Sequence, residues 1–139
     1  MREAVDKIAI IDFGGQYTHL ISRRVRELKV YCEIIRFDSI SENLKALNSF
    51  RGVIFSGGPS SVYDKNAPLV DERVYSLGLP ILGICYGHQM IALQLGGEVV
   101  RGEVKEYGKT KLFIEDEDDI FDRVKRETIV WMSHGDMVL

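Results

Sequence analysis

Residues 83–87 read Gly-Ile-Cys-Tyr-Gly, and they stand where an apolar run, LPILGIC (79–85), passes at once into a helical pattern, YGHQMIALQLG (86–96). A chain turns from strand to helix in so few residues only through a tight turn with strained backbone angles. A Cβ two positions to either side of the turning residue would clash, so glycines belong at both places. The turn lifts the side chain of Cys85 above a sheet, at the N-terminus of a helix. There unpaired N–H groups and the helix dipole are expected to favour thiolate, the reactive form. The plainer reading is a buried core cysteine on an apolar strand, and the flanking glycines favour the nucleophile. Cys32 has no such setting and reads as an ordinary sheet residue.

The rest of the chain suits that turn. KIAIIDF (7–13), YCEIIRF (31–37), GVIFS (52–56) and LPILGIC are strand-like. Between them lie helical patterns at 16–29, 41–47 and 67–77. Alternation of this kind predicts an α/β fold with a mostly parallel sheet. In the first helix Leu20, Ile21, Val25 and Leu28 are expected to form the apolar face. Beyond Gly96-Gly97 the pattern changes: EVVRGEV, KTKLFIED and ETIVWMS look like shorter strands of antiparallel character. The acidic run Glu115 to Asp119 reads as a solvated turn opening a short helix, with a metal site as the lesser alternative.

At 139 residues the chain suits one domain, and 45% hydrophobic with 28% charged residues suits a globular one. A formal charge of −3 without a dense basic patch gives no pull on nucleic acid. The charged opening MREAVDK is no secretory signal, and no apolar run nears the ~18 residues of a spanning helix. A cytosolic chain with two separate thiols is expected.

A cysteine that attacks an acyl carbon needs donors for the oxyanion. The backbone N–H of Tyr86 is one. Ser56-Gly57-Gly58-Pro59, at the end of the third strand, is well placed to give another. A plain turn and a phosphate-cradling loop are the other readings of that segment. Pro59 lacks an N–H, and no Lys-Ser/Thr pair follows, which weighs against phosphate.

DFGGQY (12–17), SGGP (56–59), LGICYGHQ (82–89), QLGG (94–97) and WMSHGD (131–136) occur together and in order. In these motifs the chain resembles the class I glutamine amidotransferases over essentially its whole length. With RRVREL (23–28) and VYCE (30–33), it is most similar to the GMP synthetase branch of that family. The resemblance implies a flavodoxin-like sheet with the site at the carboxyl ends of its strands. It implies that Cys85 attacks the side-chain amide of glutamine, forms a γ-glutamyl thioester and releases ammonia. It places the oxyanion hole at the N–H groups of Gly58 and Tyr86, and substrate contacts at Gln89, Ser133 and His134. The ammonia would pass to an ATP pyrophosphatase domain that aminates adenylated XMP. ATP and Mg²⁺ are expected there, with no metal or cofactor in this chain, and a homodimer is expected of the full-length enzyme.

The family's general base and its orienting carboxylate lie in a His-Pro-Glu motif beyond SHGD, and no His-x-Glu occurs in this sequence. The expectation is a partial glutaminase domain, 1–139, inactive alone, with the remaining glutaminase, pyrophosphatase and dimerisation parts downstream. His88, three residues past Cys85, and His134, in a loop, are weaker candidates for the base; His19 reads as structural. The competing class is a non-catalytic glutamine- or partner-binding module. A further option is another cysteine-elbow fold, which SGGP and WMSHGD disfavour.

Overall fold

Strands β1 (Lys7–Asp12), β2 (Tyr31–Arg36), β3 (Gly52–Phe55) and β4 (Ile81–Gly83) pair in parallel in the spatial order β2-β1-β3-β4. The computed structural model that shows this describes residues 5–117 and 119–139, without the side chains of 102–106, 133 and 134. Two units divide the chain: Met1–Val99 with Val138–Leu139, and Val100–Met137. In the first unit β1 is central, with Ile10 opposite both Ile34 and Ile54. Ala9, Ile10 and Ile11 are fully buried. A central parallel strand has both faces covered, so it reads as a continuous apolar run. The chain leaves β1 for β2 on one side and reaches β3 on the other. That strand order is the flavodoxin-like one, and its crevice opens at the carboxyl ends of β1 and β3.

Helix α1 (Thr18–Glu27) packs against the sheet, but not through the face expected from sequence. Thr18 and Ser22 are buried and Ile21 and Val25 half-buried, whereas Leu20 and Leu28 are exposed. The inner stripe is therefore 18, 21, 22 and 25, a helix periodicity that leaves Leu20 and Leu28 outside it. The small polar residues on that stripe have buried partners: Ser22 Oγ lies 3.2 Å from the Cys32 Sγ of β2. Helix α2 (Ile40–Leu47) buries Ile40 and Leu47 in the core with Phe50, Val53 and Val74. The helix expected at 67–77 is instead a 3₁₀ segment, Glu72–Leu77. Pro68 disfavours helical angles in the residue before it. Asp71 supplies the cap by accepting the Arg73 N–H at 3.0 Å.

The second unit carries most of a two-stranded antiparallel ribbon, the predicted extension of the fold. Strand β5 (Val99–Phe113) is one strand, where the sequence suggested two separated by a connection. Gly108, at φ +100, lets the chain continue through the expected break. Strand β6 (Glu127–Val138) likewise runs on through Ser133 and His134, so His134 is not in a loop. The acidic run leads into a 3₁₀ turn, Asp119–Phe121. Among the described residues no three His, Cys, Asp or Glu side chains gather as a metal site, and no helix is long and apolar enough to cross a membrane.

Candidate active site

Cys85 sits at φ +50, ψ −115, between β4 and helix α3 (Tyr86–Gln94). A non-glycine residue in that region is strained, and the surrounding structure must hold it there. Both flanking glycines are required by contact. A Cβ on Gly83 would stand 2.7 Å from the His88 Cα and from Ile91 Cδ1. One on Gly87 would stand 2.7 Å from the Phe55 Cβ and closer still to the Phe55 carbonyl oxygen. That carbonyl also accepts the Ile84 N–H at 2.9 Å, so β3 grips the turn from both sides. The elbow inferred from the glycine spacing is the elbow observed, and Cys85 is exposed on it.

At the sulfur the balance runs opposite to the sequence expectation of a favoured thiolate. Partial burial pushes the Cys85 thiol above its ordinary value. The neighbouring atoms displace water that would solvate a thiolate, and among the described residues no imidazole or cation hydrogen-bonds to the sulfur. His88 is exposed on α3, and His19 is exposed on α1.

The segment Ser56-Gly57-Gly58 lies beside the cysteine. A Cβ on Gly57 would stand 3.4 Å from the Cys85 Cβ. The backbone N–H of Tyr86 opens α3, where first-turn N–H groups have no acceptor within the helix. Tyr86 itself is buried. Its hydroxyl donates to the Pro68 carbonyl at 2.8 Å, and burial pushes its phenol up to about 12. It is held as a fixed, neutral wedge. Gln89 is buried on α3, with its N–H donating to the Cys85 carbonyl at 3.1 Å. Ser133 and His134 fall on β6, and their side chains lie outside the described residues.

Sequence reasoning missed the layer beneath. Phe13 packs its ring within 5.5 Å of Tyr86, 5.8 Å of Phe55 and 6.0 Å of Phe37, centroid to centroid. Thr18 and Ser56, both buried, meet at 3.2 Å between their hydroxyl oxygens. Ser56 Oγ donates to the Ile11 carbonyl at 2.6 Å, and the Asp12 carboxylate accepts the Gly14 N–H at 2.8 Å. The available signal was a Thr and a Ser on otherwise apolar inner positions.

An exposed cysteine stands on a strained strand-to-helix turn, beside a glycine loop at the crevice of a parallel sheet, an arrangement suited to acyl transfer. Residues 9–139 match the family model described as glutamine amidotransferase class-I, and the chain belongs to that family. It is 56% identical over 132 residues to the GMP synthase [glutamine-hydrolyzing] of Aquifex aeolicus, covering 95% of this chain and 26% of that protein. With the enzyme of the same name from Thermosynechococcus vestitus it shares 53% over 131 residues, covering 94% and 24%. The chain thus spans about a quarter of the length of these relatives. Among solved structures, a protein assigned as a GMP synthase subunit from Thermoplasma acidophilum superposes with a TM-score of 0.77 at 36% identity. The match covers 99% of this chain and 69% of that one. A glutamine amidotransferase from Thermotoga maritima, at TM-score 0.73 and 21% identity, shares the fold.

Proposed function

We propose that this chain carries the nucleophile and oxyanion donors of a glutaminase that releases ammonia for the amination of XMP to GMP. The observation that carries the reading is Cys85 at positive φ on the elbow, with Gly57 of the glycine loop beside its Cβ. In the first step the Cys85 sulfur bonds to the side-chain carbonyl carbon of glutamine, and the π pair moves onto oxygen. The N–H groups of Gly58 and Tyr86 receive that charge. Collapse breaks the C–N bond, and the nitrogen leaves as ammonia with the thiol proton. Water then cleaves the thioester, giving glutamate and restoring the thiol. Gln89, Ser133 and His134 are the proposed contacts for the rest of the substrate.

The proton must travel from sulfur to nitrogen and back, which calls for a general base. His88 is the nearest imidazole in sequence, and it makes no hydrogen bond to Cys85 among the described residues. Turnover by the 139 residues alone is therefore expected to be near zero. Pro59 lacks an N–H and interrupts the glycine loop, which weighs against a phosphate cradle, and the reading places ATP and Mg²⁺ outside this chain. Both would act in a synthetase domain, in a cytosolic, dimeric enzyme.

The test is incubation of the purified chain with γ-glutamyl p-nitrophenyl ester and, separately, with glutamine, followed by mass analysis of Cys85 and assay of glutamate. A γ-glutamyl adduct on Cys85 from the ester, with little free glutamate from glutamine, is the expected result. Glutamine binding with no adduct from the ester would favour a non-catalytic module. Steady glutamate release, lost in Cys85→Ala, would overturn the need for an outside base.

A further inference from the structure

We propose that Gly15, Thr18 and Ser56 are positioning residues that fix which way the Gly57–Gly58 peptide faces. The inference rests on the glutaminase reading above, since it concerns the oxyanion donor of that reaction. A Cβ built on Gly15 would meet the Gly57 carbonyl oxygen first, then its carbon at 2.8 Å and the Gly58 nitrogen at 3.4 Å. The Gly57 carbonyl therefore points at Gly15. The described chain has no cis peptide bond, and in a planar trans peptide C=O and N–H point in opposite directions. The Gly58 N–H is thereby directed away from Gly15. The bare Cα of Gly15 is the seat on which the carbonyl rests, and any side chain there would drive the peptide out of this orientation.

Thr18 and Ser56 hold the two loops at that spacing. Thr18 Oγ1 lies 3.2 Å from the Gly15 carbonyl, 3.3 Å from Asp12 Oδ1 and 3.2 Å from Ser56 Oγ. The Ser56 proton goes to the Ile11 carbonyl at 2.6 Å, so the single Thr18 proton serves one of its three oxygen neighbours at a time. Ser56 immediately precedes Gly57, and Thr18 opens α1. The network therefore ties the loop after β1 to the loop after β3 with buried hydrogen bonds. Removing the Thr18 hydroxyl takes away the side-chain link between Thr18 and Ser56 and loosens the spacing of the two loops.

Two reactions of the same sulfur separate this role from a general structural one. Acylation by γ-glutamyl p-nitrophenyl ester passes through an oxyanion, and its leaving group needs no acid. Alkylation by iodoacetamide displaces iodide and forms no oxyanion. Both rates are measured on the whole chain, with Cys85→Ala as background. Gly15→Ala and Thr18→Val are expected to slow acylation at least about tenfold, with the ~10²–10³ for complete loss of an oxyanion donor as the upper bound. Alkylation should stay within about twofold, and Thr18→Ser should restore acylation. The Thr18→Val and Thr18→Ser pair carries the test where Gly15→Ala fails to fold. Equal losses in both reactions, or no loss of acylation, would overturn the proposal. Failure of the unsubstituted chain to acylate at Cys85 would sink the glutaminase reading itself, and this inference with it.

Discussion

Replacing Gly87 by alanine tests the elbow through its packing alone. The new Cβ would stand 2.7 Å from the Phe55 Cβ, about 0.7 Å short of ordinary contact at 3.4 Å, and would press harder on the Phe55 carbonyl oxygen. Retreat is blocked. Phe55 is fully buried, and its backbone is in register with Ile11 of β1 and Gly83 of β4. Overpacking of a core costs about 1–3 kcal/mol, and contact with backbone puts this site at the upper end. Alanine in a helix returns about 1 kcal/mol over glycine. The net loss is about 2 kcal/mol, or roughly 6–8 °C in Tm for a chain of this length. Gly96→Ala is the control: at φ +88 with nothing within 4 Å, it meets only backbone strain of about 1–2 kcal/mol. Thermal and urea unfolding followed by circular dichroism give both values. A Gly87→Ala midpoint at or above the parent's would refute the reasoning.

Two further outcomes follow from the titrating groups. Cys85 should alkylate faster than Cys32, which is buried against Ser22 and Arg26. Because its thiol is pushed up, the Cys85 rate should keep climbing from pH 7 through pH 9, as thiolate accumulates; a plateau below pH 7 in a rate–pH profile would contradict the burial argument. The Arg73 guanidinium and N–H hold the Asp71 carboxyl down at about 2. A lowered folded pKa stabilises above the unfolded value near 3.9 and is lost as pH falls towards 2. Asp71→Asn should therefore be less stable than the parent at pH 5–7, with the gap closing between about pH 4 and pH 2. A gap independent of pH in urea titrations would show that the cap, not the charge, sets the difference.

The parallel sheet was legible because its strands are buried on both faces, and a continuous apolar run leaves little else to infer. Gly83 and Gly87 were legible because a collision excludes every other residue. The inner face of α1 was not. Counting apolar residues selects Leu20 and Leu28, whereas the helix turns Thr18 and Ser22 inward, towards the Ser56 hydroxyl just after β3 and the Cys32 thiol of β2. Those partners are 38 and 10 residues away, and no local pattern announces them. The antiparallel ribbon was legible too, but the unbroken length of its strands was not, for a similar reason. Glycine at 108 and the polar run at 133–136 look like breaks, but a ladder formed with a distant strand carries the backbone through both.

The state of the sulfur decides how the parts of this site divide the chemistry. Exposure makes Cys85 accessible, while partial enclosure makes its proton harder to remove. A thiol so placed is limited by deprotonation rather than by encounter. An activated ester, which needs only the thiolate and the oxyanion donors, should be within its reach. An amide is different, because its nitrogen leaves only when it receives a proton. In the proposed mechanism the elbow, the glycine loop and the Thr18–Ser56 tie serve to stabilise negative charge on oxygen, and none of them moves a proton. Ester acylation without amide turnover is the behaviour that this division requires. An imidazole supplied to Cys85 should raise amide turnover far more than ester acylation.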